Sequence, residues 1–298
     1  MSRATVVTVT NQKGGVGKTT SGVHLAFGLR DMGKKVLLAD MDTQGNASAI
    51  LSRDPRINTR PGGAEQLFQN VADLKGVETP SGIDLLHGHA FLEALDKEVA
   101  VGDTAQLRDY VRSLPYDYII FDTPPALGVR QVAPMLWADH LVVPVEPTPL
   151  AAAGLAATIR VIKRLIDSGQ NGELKWKLVV NRYKSTSKEQ TALVERMRQQ
   201  FGANFVQFTF GERVGLTDCL ARGVPIWEYK GTPKEVIDKL NAALKTAMAD
   251  PHVKQRLAEL SSDIPSADKM TPEGLRTHLT AEIAKWGPVI KKAGIYAD

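Results

Sequence analysis

Ten residues near the start of the 298-residue chain constrain it most: Asn11-Gln12-Lys13-Gly14-Gly15-Val16-Gly17-Lys18-Thr19-Thr20. A β-branched apolar run, Thr5 to Thr10, precedes them, and a helix-like stretch, Ser21 to Met32, follows. Strand, tight turn and helix start, in that order, is the setting a phosphate-binding loop requires. Glycine lets the backbone wrap closely where a Cβ would clash. The amide N–H groups of Gly14, Gly15, Val16 and Gly17 and the helix N-terminus then face an anion. Lys18 supplies a point charge for the β- and γ-phosphates, and Thr19, followed by Thr20, offers a hydroxyl to Mg²⁺. A nucleoside triphosphate is the expected ligand.

The usual pattern has glycine where this chain has Gln12, and a second lysine, Lys13, stands at the loop mouth. On residue type alone Lys13 is either a solvated loop charge or a second phosphate ligand. The run K-G-G-V-G-K-T-T, with Leu37-Leu38-Ala39-Asp40-Met41-Asp42-Thr43-Gln44-Gly45-Asn46, resembles the ParA/MinD family of deviant Walker-A ATPases across residues 4–230. The resemblance implies that Lys13 reaches across a dimer interface to the partner's nucleotide. It implies ATP and Mg²⁺ as cofactors, a homodimer formed on ATP binding, and hydrolysis that dissolves it. Proline commonly stands in the family where this chain has Thr43.

Bulk properties narrow the class. No run of about twenty apolar residues is present, so no transmembrane helix or stable membrane insertion is expected. The start runs straight into the first strand, leaving no signal peptide, and a cytoplasmic, nucleoid-associated location is expected. The lone Cys219 excludes an internal disulfide and argues against the cluster-bearing nitrogenase iron protein; it reads as a packed small residue. A net charge of +4 permits a polyanion partner without requiring one.

Strand-like runs at Val6–Thr10, Lys35–Ala39, Ile83–Leu86, Tyr118–Phe121, His140–Val145, Lys177–Val180 and Phe205–Phe210 alternate with helical patterns at Ser21–Met32, Thr104–Ser113, Pro149–Asp167 and Lys188–Phe201. Near-continuous apolar strands separated by helices predict an α/β fold: a mostly parallel, doubly wound sheet of the P-loop NTPase type, with helices on both faces. Arg53–Asp73, rich in Pro, Gly and Arg, reads as a surface connection with one short helix near Ala64–Val71. Two parts are expected: an ATPase domain over 1–230 and a helical extension over 231–298 packed on it. Gly231-Thr232-Pro233-Lys234-Glu235-Val236-Ile237 and the ending around Trp286 resemble the end of tripartite tricarboxylate transporter receptors, implying an acquired tail with helices at about 233–248, 251–260 and 272–286.

Asp122, closing the run Tyr118-Ile119-Ile120-Phe121, fits an acid that orients Mg²⁺, and the prolines after it stiffen a turn. Asp40 and Asp42, two apart at a strand end, share a face in extended geometry and favour a nearby cation. In the family, the acid matching Asp42 activates the attacking water and the one matching Asp40 supports the magnesium shell. Lys13, Lys18 and Asp42 are thus the expected catalytic groups; Thr19, Asp40 and Asp122 the metal set. The resemblance places Asn181, Arg182 and Pro225 around the adenine, with Ile226 beside them. It also implies sequence-independent DNA binding by basic residues, for which Arg213, Arg222, Lys184 and Lys188 are the leading choices. No helix-turn-helix precedes the loop. The histidines show no zinc spacing; His87 and His89 read as a surface pair and His24 as helix packing.

The expectation is a ParA-type partition ATPase whose hydrolysis a ParB-like centromere-binding protein stimulates. A MinD-like membrane-associated regulator and a positioning ATPase for a protein cargo remain the alternatives.

Overall fold

The computed structural model of the chain describes residues 3–228, apart from 55, 60, 61, 150, 212 and 213, together with 271, 274 and 277. Two compact units divide the chain, Met1–Tyr229 and Lys230–Asp298. In the second, the Thr271 hydroxyl accepts the Gly274 N–H at 2.9 Å. Of the three tail helices expected from the sequence, the first two lie outside the described residues; of the third, at about 272–286, only residues 274 and 277 are described, and both are helical.

The first unit runs β1 (Thr5–Val9), α1 (Lys18–Asp31), β2 (Val36–Asp40), α2 (Asn46–Ser52), β3 (Val77–Glu78), β4 (Asp84–Leu86), α3 (Leu95–Glu98), α4 (Leu107–Ser113), β5 (Tyr118–Asp122), α5 (Val129–Trp137), β6 (His140–Val145), α6 (Ala151–Asp167), β7 (Lys175–Tyr183), α7 (Lys188–Phe201), β8 (Phe205–Gly211) and α8 (Val214–Arg222). The strands form one sheet in the order β3-β4-β2-β5-β1-β6-β7-β8, parallel except for the β3–β4 pair. Both faces are apolar because both are covered. Along β2, Leu37 and Ala39 join one core and Val36 and Leu38 the other; along β5, Ile119 and Phe121 oppose Ile120 in the same way. Trp137 of α5 fills the first core, and Phe27 of α1 and Leu51 of α2 the second. The chain leaves the central β1 for β2 on one side, while β6, which follows β5, lies on the other. Such a change of direction opens a crevice at the carboxyl ends of the strands, where ligands bind in open α/β sheets.

The expected α/β architecture holds, with several boundary differences. The segment at Ala64–Val71 is a 3₁₀ turn over Ala64–Leu67, and Thr104–Ser113 divides into a 3₁₀ turn at Val101–Thr104 and α4. Helices α2, α5 and α8 are not legible as sequence patterns. Pro134 removes one N–H from the interior of α5. Tertiary donors also serve the carbonyls at the end of this helix: the Thr8 hydroxyl donates to the Pro134 carbonyl at 2.8 Å. The buried Asn171 amide donates to the carbonyls of Met135, Leu136 and Ala138 at 3.1, 3.2 and 2.8 Å. One side chain thereby serves three carbonyls at the end of α5. Asn171→Ala should leave them without partners in an apolar setting and lower unfolding stability by about 2–3 kcal/mol, read as a shifted urea midpoint.

Candidate functional site

The loop from Gln12 to Gly17 joins β1 to α1 at the carboxyl end of the sheet. Gly15 and Gly17 take φ of 75° and 92°, left-handed values that side chains disfavour. Gly17 carries a second constraint, since a Cβ there would collide with the Asn181 amide. That amide donates to the Val16 carbonyl at 2.9 Å and props the loop from β7. The N–H groups of Gly14, Gly15 and Gly17 donate to no protein acceptor among the described residues, and the first amides of α1 are unpaired within the helix. The result is a concave set of anion-seeking donors.

Lys18 is nearly buried and its Nζ donates to the Lys13 carbonyl at 3.1 Å. Burial lowers its pKa; the charges of Asp122 and Asp42 oppose that. Lys18, Asp42 and Asp122 thus converge on one site, as expected from their separate motifs. Lys13 Nζ donates to the Thr148 hydroxyl at 3.3 Å, and Gly154, whose Cβ would press on the Lys13 backbone, lets α6 approach the loop.

Asp40 and Asp122 are register partners on adjacent strands. Both are buried, yet they are satisfied differently. Asp40 accepts the Ser48 N–H and hydroxyl at 2.9 and 2.7 Å and the Asp42 N–H at 3.1 Å. It thereby caps α2, the helix that sequence pattern missed. Burial raises its pKa to about 6, against the pull of these donors. No hydrogen bond of good geometry reaches either oxygen of Asp122. Its pKa stands well above the ordinary carboxylate value, first through burial and then through the Asp40 charge, while Thr19 and Lys18 oppose the shift. A buried carboxylate with only the Thr19 hydroxyl and the Lys18 charge beside it, next to a donor-rich loop, fits a magnesium site. Asp40 is less available for direct ligation, because the protein's own donors occupy it.

The remaining expected residues are placed as follows. Asn181 is committed to the loop through its amide nitrogen, and Arg182, at φ 53°, pairs with Glu146 at 2.9 Å. Pro225 is buried. Lys184, Lys188 and Arg222 are exposed, but α7 packs on the first core and α8, through Leu220, on the second. They therefore do not form one basic face; Arg213 lies outside the described residues. A cavity of about 570 Å³ lined by Thr5, Arg108, Asp139, His140, Glu173 and Lys175 lies at the opposite end of the sheet.

His87 and His89 are buried, contrary to the surface reading. His89 Nε2 meets Glu65 Oε2 at 2.5 Å, and the intervening Gly88 packs so tightly on the Asp42 carbonyl that a Cβ would collide. His24 also does more than fill a helix face. Its Nδ1 lies 2.9 Å from the Thr20 carbonyl, and its Nε2 accepts the Ile226 N–H at 3.2 Å. A carbonyl only accepts and an amide only donates, so the ring is neutral with its proton on Nδ1. The H-G-H run was the available sequence signal for the first group; nothing local marks the second.

Against known proteins, a family profile described as an AAA domain (AAA_31) matches residues 4–176. The chain is 33% identical over 237 residues to the chromosome-partitioning ATPase Soj of Thermus thermophilus, covering 78% of this chain and 92% of Soj. This chain belongs to the ParA/MinD family of ATPases. It is also 32% identical to Protein IncC of Escherichia coli over 74% of this chain, although the match spans 62% of IncC. A solved structure described as a plasmid partition protein of Borrelia burgdorferi B31 bound to AMPPNP aligns with TM-score 0.65 and 27% identity, covering 82% of this chain and all of that one.

Two outcomes test the site. Asp122→Asn removes a buried charge; it should raise the melting temperature of the nucleotide-free protein by about 2–4 °C per kcal/mol gained while abolishing magnesium-dependent hydrolysis. For His24, burial holds the pKa below its ordinary value, with the Thr20 carbonyl opposing. The unfolded chain therefore takes up the proton first as pH falls. The stabilisation is whole above about pH 6.5 and is lost as pH drops through the lower folded value. Trp227, whose ring centroid lies 5.9 Å from that of His24, reports the change. Its fluorescence, taken as the difference from Trp227→Phe, should be flat at higher pH and shift on acidification, and the shift should vanish in His24→Gln.

Proposed function

We propose that this chain is the ATPase of a DNA-partition system. ATP-bound subunits close face to face, the dimer holds DNA without sequence preference, and a ParB-like partner accelerates a slow hydrolysis that releases it. The supporting observation is Lys13. Its ammonium sits at the loop mouth on one long hydrogen bond to a neutral hydroxyl, and its backbone is already held by Lys18 and Gly154. A charge so lightly held is readily transferred to a phosphate presented by a second subunit.

The amides of the loop and Lys18 hold the triphosphate; Thr19 and Asp122 hold Mg²⁺, with Asp40 acting through water. When bound, the metal neutralises phosphate charge. Asp42 orients the attacking water and receives its proton; Gly88 holds its backbone at the strand end, and its carboxylate accepts the Gln44 N–H at 3.0 Å. Lys18 and Lys13 stabilise the charge that develops on the transferred group. Arg182 and Pro225 border the base, with Asn181 joining that side to the loop. Lys184, Lys188, Arg213 and Arg222 are the candidates for phosphate contacts with DNA.

The deciding experiment is ATP-dependent DNA binding by the purified chain across a salt series, beside sedimentation with a non-hydrolysable analogue. A dimer should form with the analogue, and log affinity for DNA should fall linearly with log salt. Lys13→Ala should keep monomer nucleotide binding and lose the dimer. The pair Lys184→Ala and Lys188→Ala should lower the salt slope by about 2. DNA affinity indifferent to ATP and salt, with liposome binding in its place, would move the reading to a membrane-associated regulator.

A further inference from the structure

Met41 separates the two acids of the β2 end, and both halves of its peptide environment are tied to β5 and α5. Its N–H donates to the Asp122 carbonyl at 2.9 Å. Its carbonyl accepts from Nη1 of Arg130 at 3.4 Å. Arg130 is an arginine 6% exposed, in the first turn of α5. Its guanidinium is oriented by Asp96 of α3: Nε donates to Oδ2 at 2.9 Å and the Nη2–Oδ2 distance is 2.8 Å. The Arg130 backbone N–H also donates to Asp96 Oδ1 at 3.2 Å. Gly128 leaves the space this carboxylate occupies, since a Cβ there would collide with it. Between Asp122 and Gly128 runs the proline-stiffened turn whose tip, residues 125–127, is exposed, with Leu127 63% accessible.

Burying a guanidinium is costly, and Asp96, whose side chain is 23% exposed, answers that charge from the edge of the core; an apolar side chain of similar volume often serves stability as well or better. What the ionic pair adds here is direction. It locks the start of α5 to α3 and aims one guanidinium nitrogen at the backbone beside Asp42. We propose that Arg130 is a positioning residue that couples the turn after Asp122 to the catalytic acid Asp42. A displacement of the turn, from nucleotide or from a bound partner, then moves the Arg130 backbone and with it the Met41 carbonyl. The position of Asp42 follows. This rests on the reading of Asp42 as the group that activates water.

The test compares Arg130→Met, Arg130→Lys and Asp96→Asn with the unaltered full-length chain. Three quantities are measured: steady-state hydrolysis with magnesium and ATP, equilibrium binding of a fluorescent ATP analogue, and thermal melting. Arg130→Met and Asp96→Asn should each lower kcat at least tenfold with analogue affinity within twofold of the original. The double variant Arg130→Met/Asp96→Asn should be no slower than the slower single one, because the two act as one unit. Arg130→Lys keeps the Asp96 pair but lacks the fork that spans both partners, and should recover part of kcat. Unchanged kcat in a folded Asp96→Asn overturns the proposal even if Arg130→Met fails to fold. So does a parallel loss of kcat, analogue affinity and melting temperature, which marks a structural role. Absence of hydrolysis by the unaltered chain overturns the ATPase reading itself, and with it this proposal; normal hydrolysis with indifferent variants overturns the coupling alone.

Discussion

Two carboxylates stand side by side where water is excluded. Asp40 and Asp122 end neighbouring parallel strands in register, at the spacing of adjacent strands, which is about 5 Å. Like charges that close, both desolvated, each disfavour ionisation of the other. The site is organised by how that repulsion is offset. Lys18 leans in from α1, Thr19 begins the helix beside Asp122, and Ser48 turns its N–H and hydroxyl to Asp40. Remove the acids and the remaining groups lose their reason to converge.

The offset is unequal, and the inequality carries the chemistry. Asp40 is answered by the protein itself and becomes structural, nucleating a seven-residue helix too short to persist on propensity alone. Asp122 is left without a good partner, an expensive state for a buried anion. Such a state persists in a folded protein when something else completes it in the working molecule. A divalent cation with a triphosphate completes it in charge and in geometry.

The loop, the strand-end acids and the parallel α/β architecture were legible because each is written locally: glycine spacing, an acid after an apolar run, near-continuous apolar strands between helices. Lys18, Thr19 and Asp122 fell together for that reason. Helix α5 was not legible, because Pro134 interrupts its pattern, and the side chains that serve its end carbonyls, Thr8 and Asn171, are distant in sequence. His87 and His89 looked like loop residues since the groups that hold this stretch, Glu65 on His89 and the Ala64 N–H on the His87 carbonyl, lie 24 and 23 positions away. The resemblance sets Asn181 beside the base; that its amide also braces Val16 from within β7 had no local signal. Side chains that act on another segment's backbone leave no periodic trace.

Glycines mark where those distant segments press together. Gly17 admits the Asn181 amide, Gly154 admits the Lys13 backbone, and Gly88 admits the Asp42 carbonyl. Each contact joins the phosphate side of the site to a different neighbour: β7, α6 and the end of β4. Interiors packed this closely transmit displacement rather than absorb it. A phosphate seated in the loop therefore bears on Asn181 through Val16 and Gly17, and on α6 through Lys13. The acid Asp42 is held from Gly88 on one side and, through Met41, from Arg130 on the other. Asp122 stands between the loop and the acid end of β2, bonded through its carbonyl to Met41 and facing Lys18 and Thr19 with its carboxylate, so both halves of the site meet on one residue.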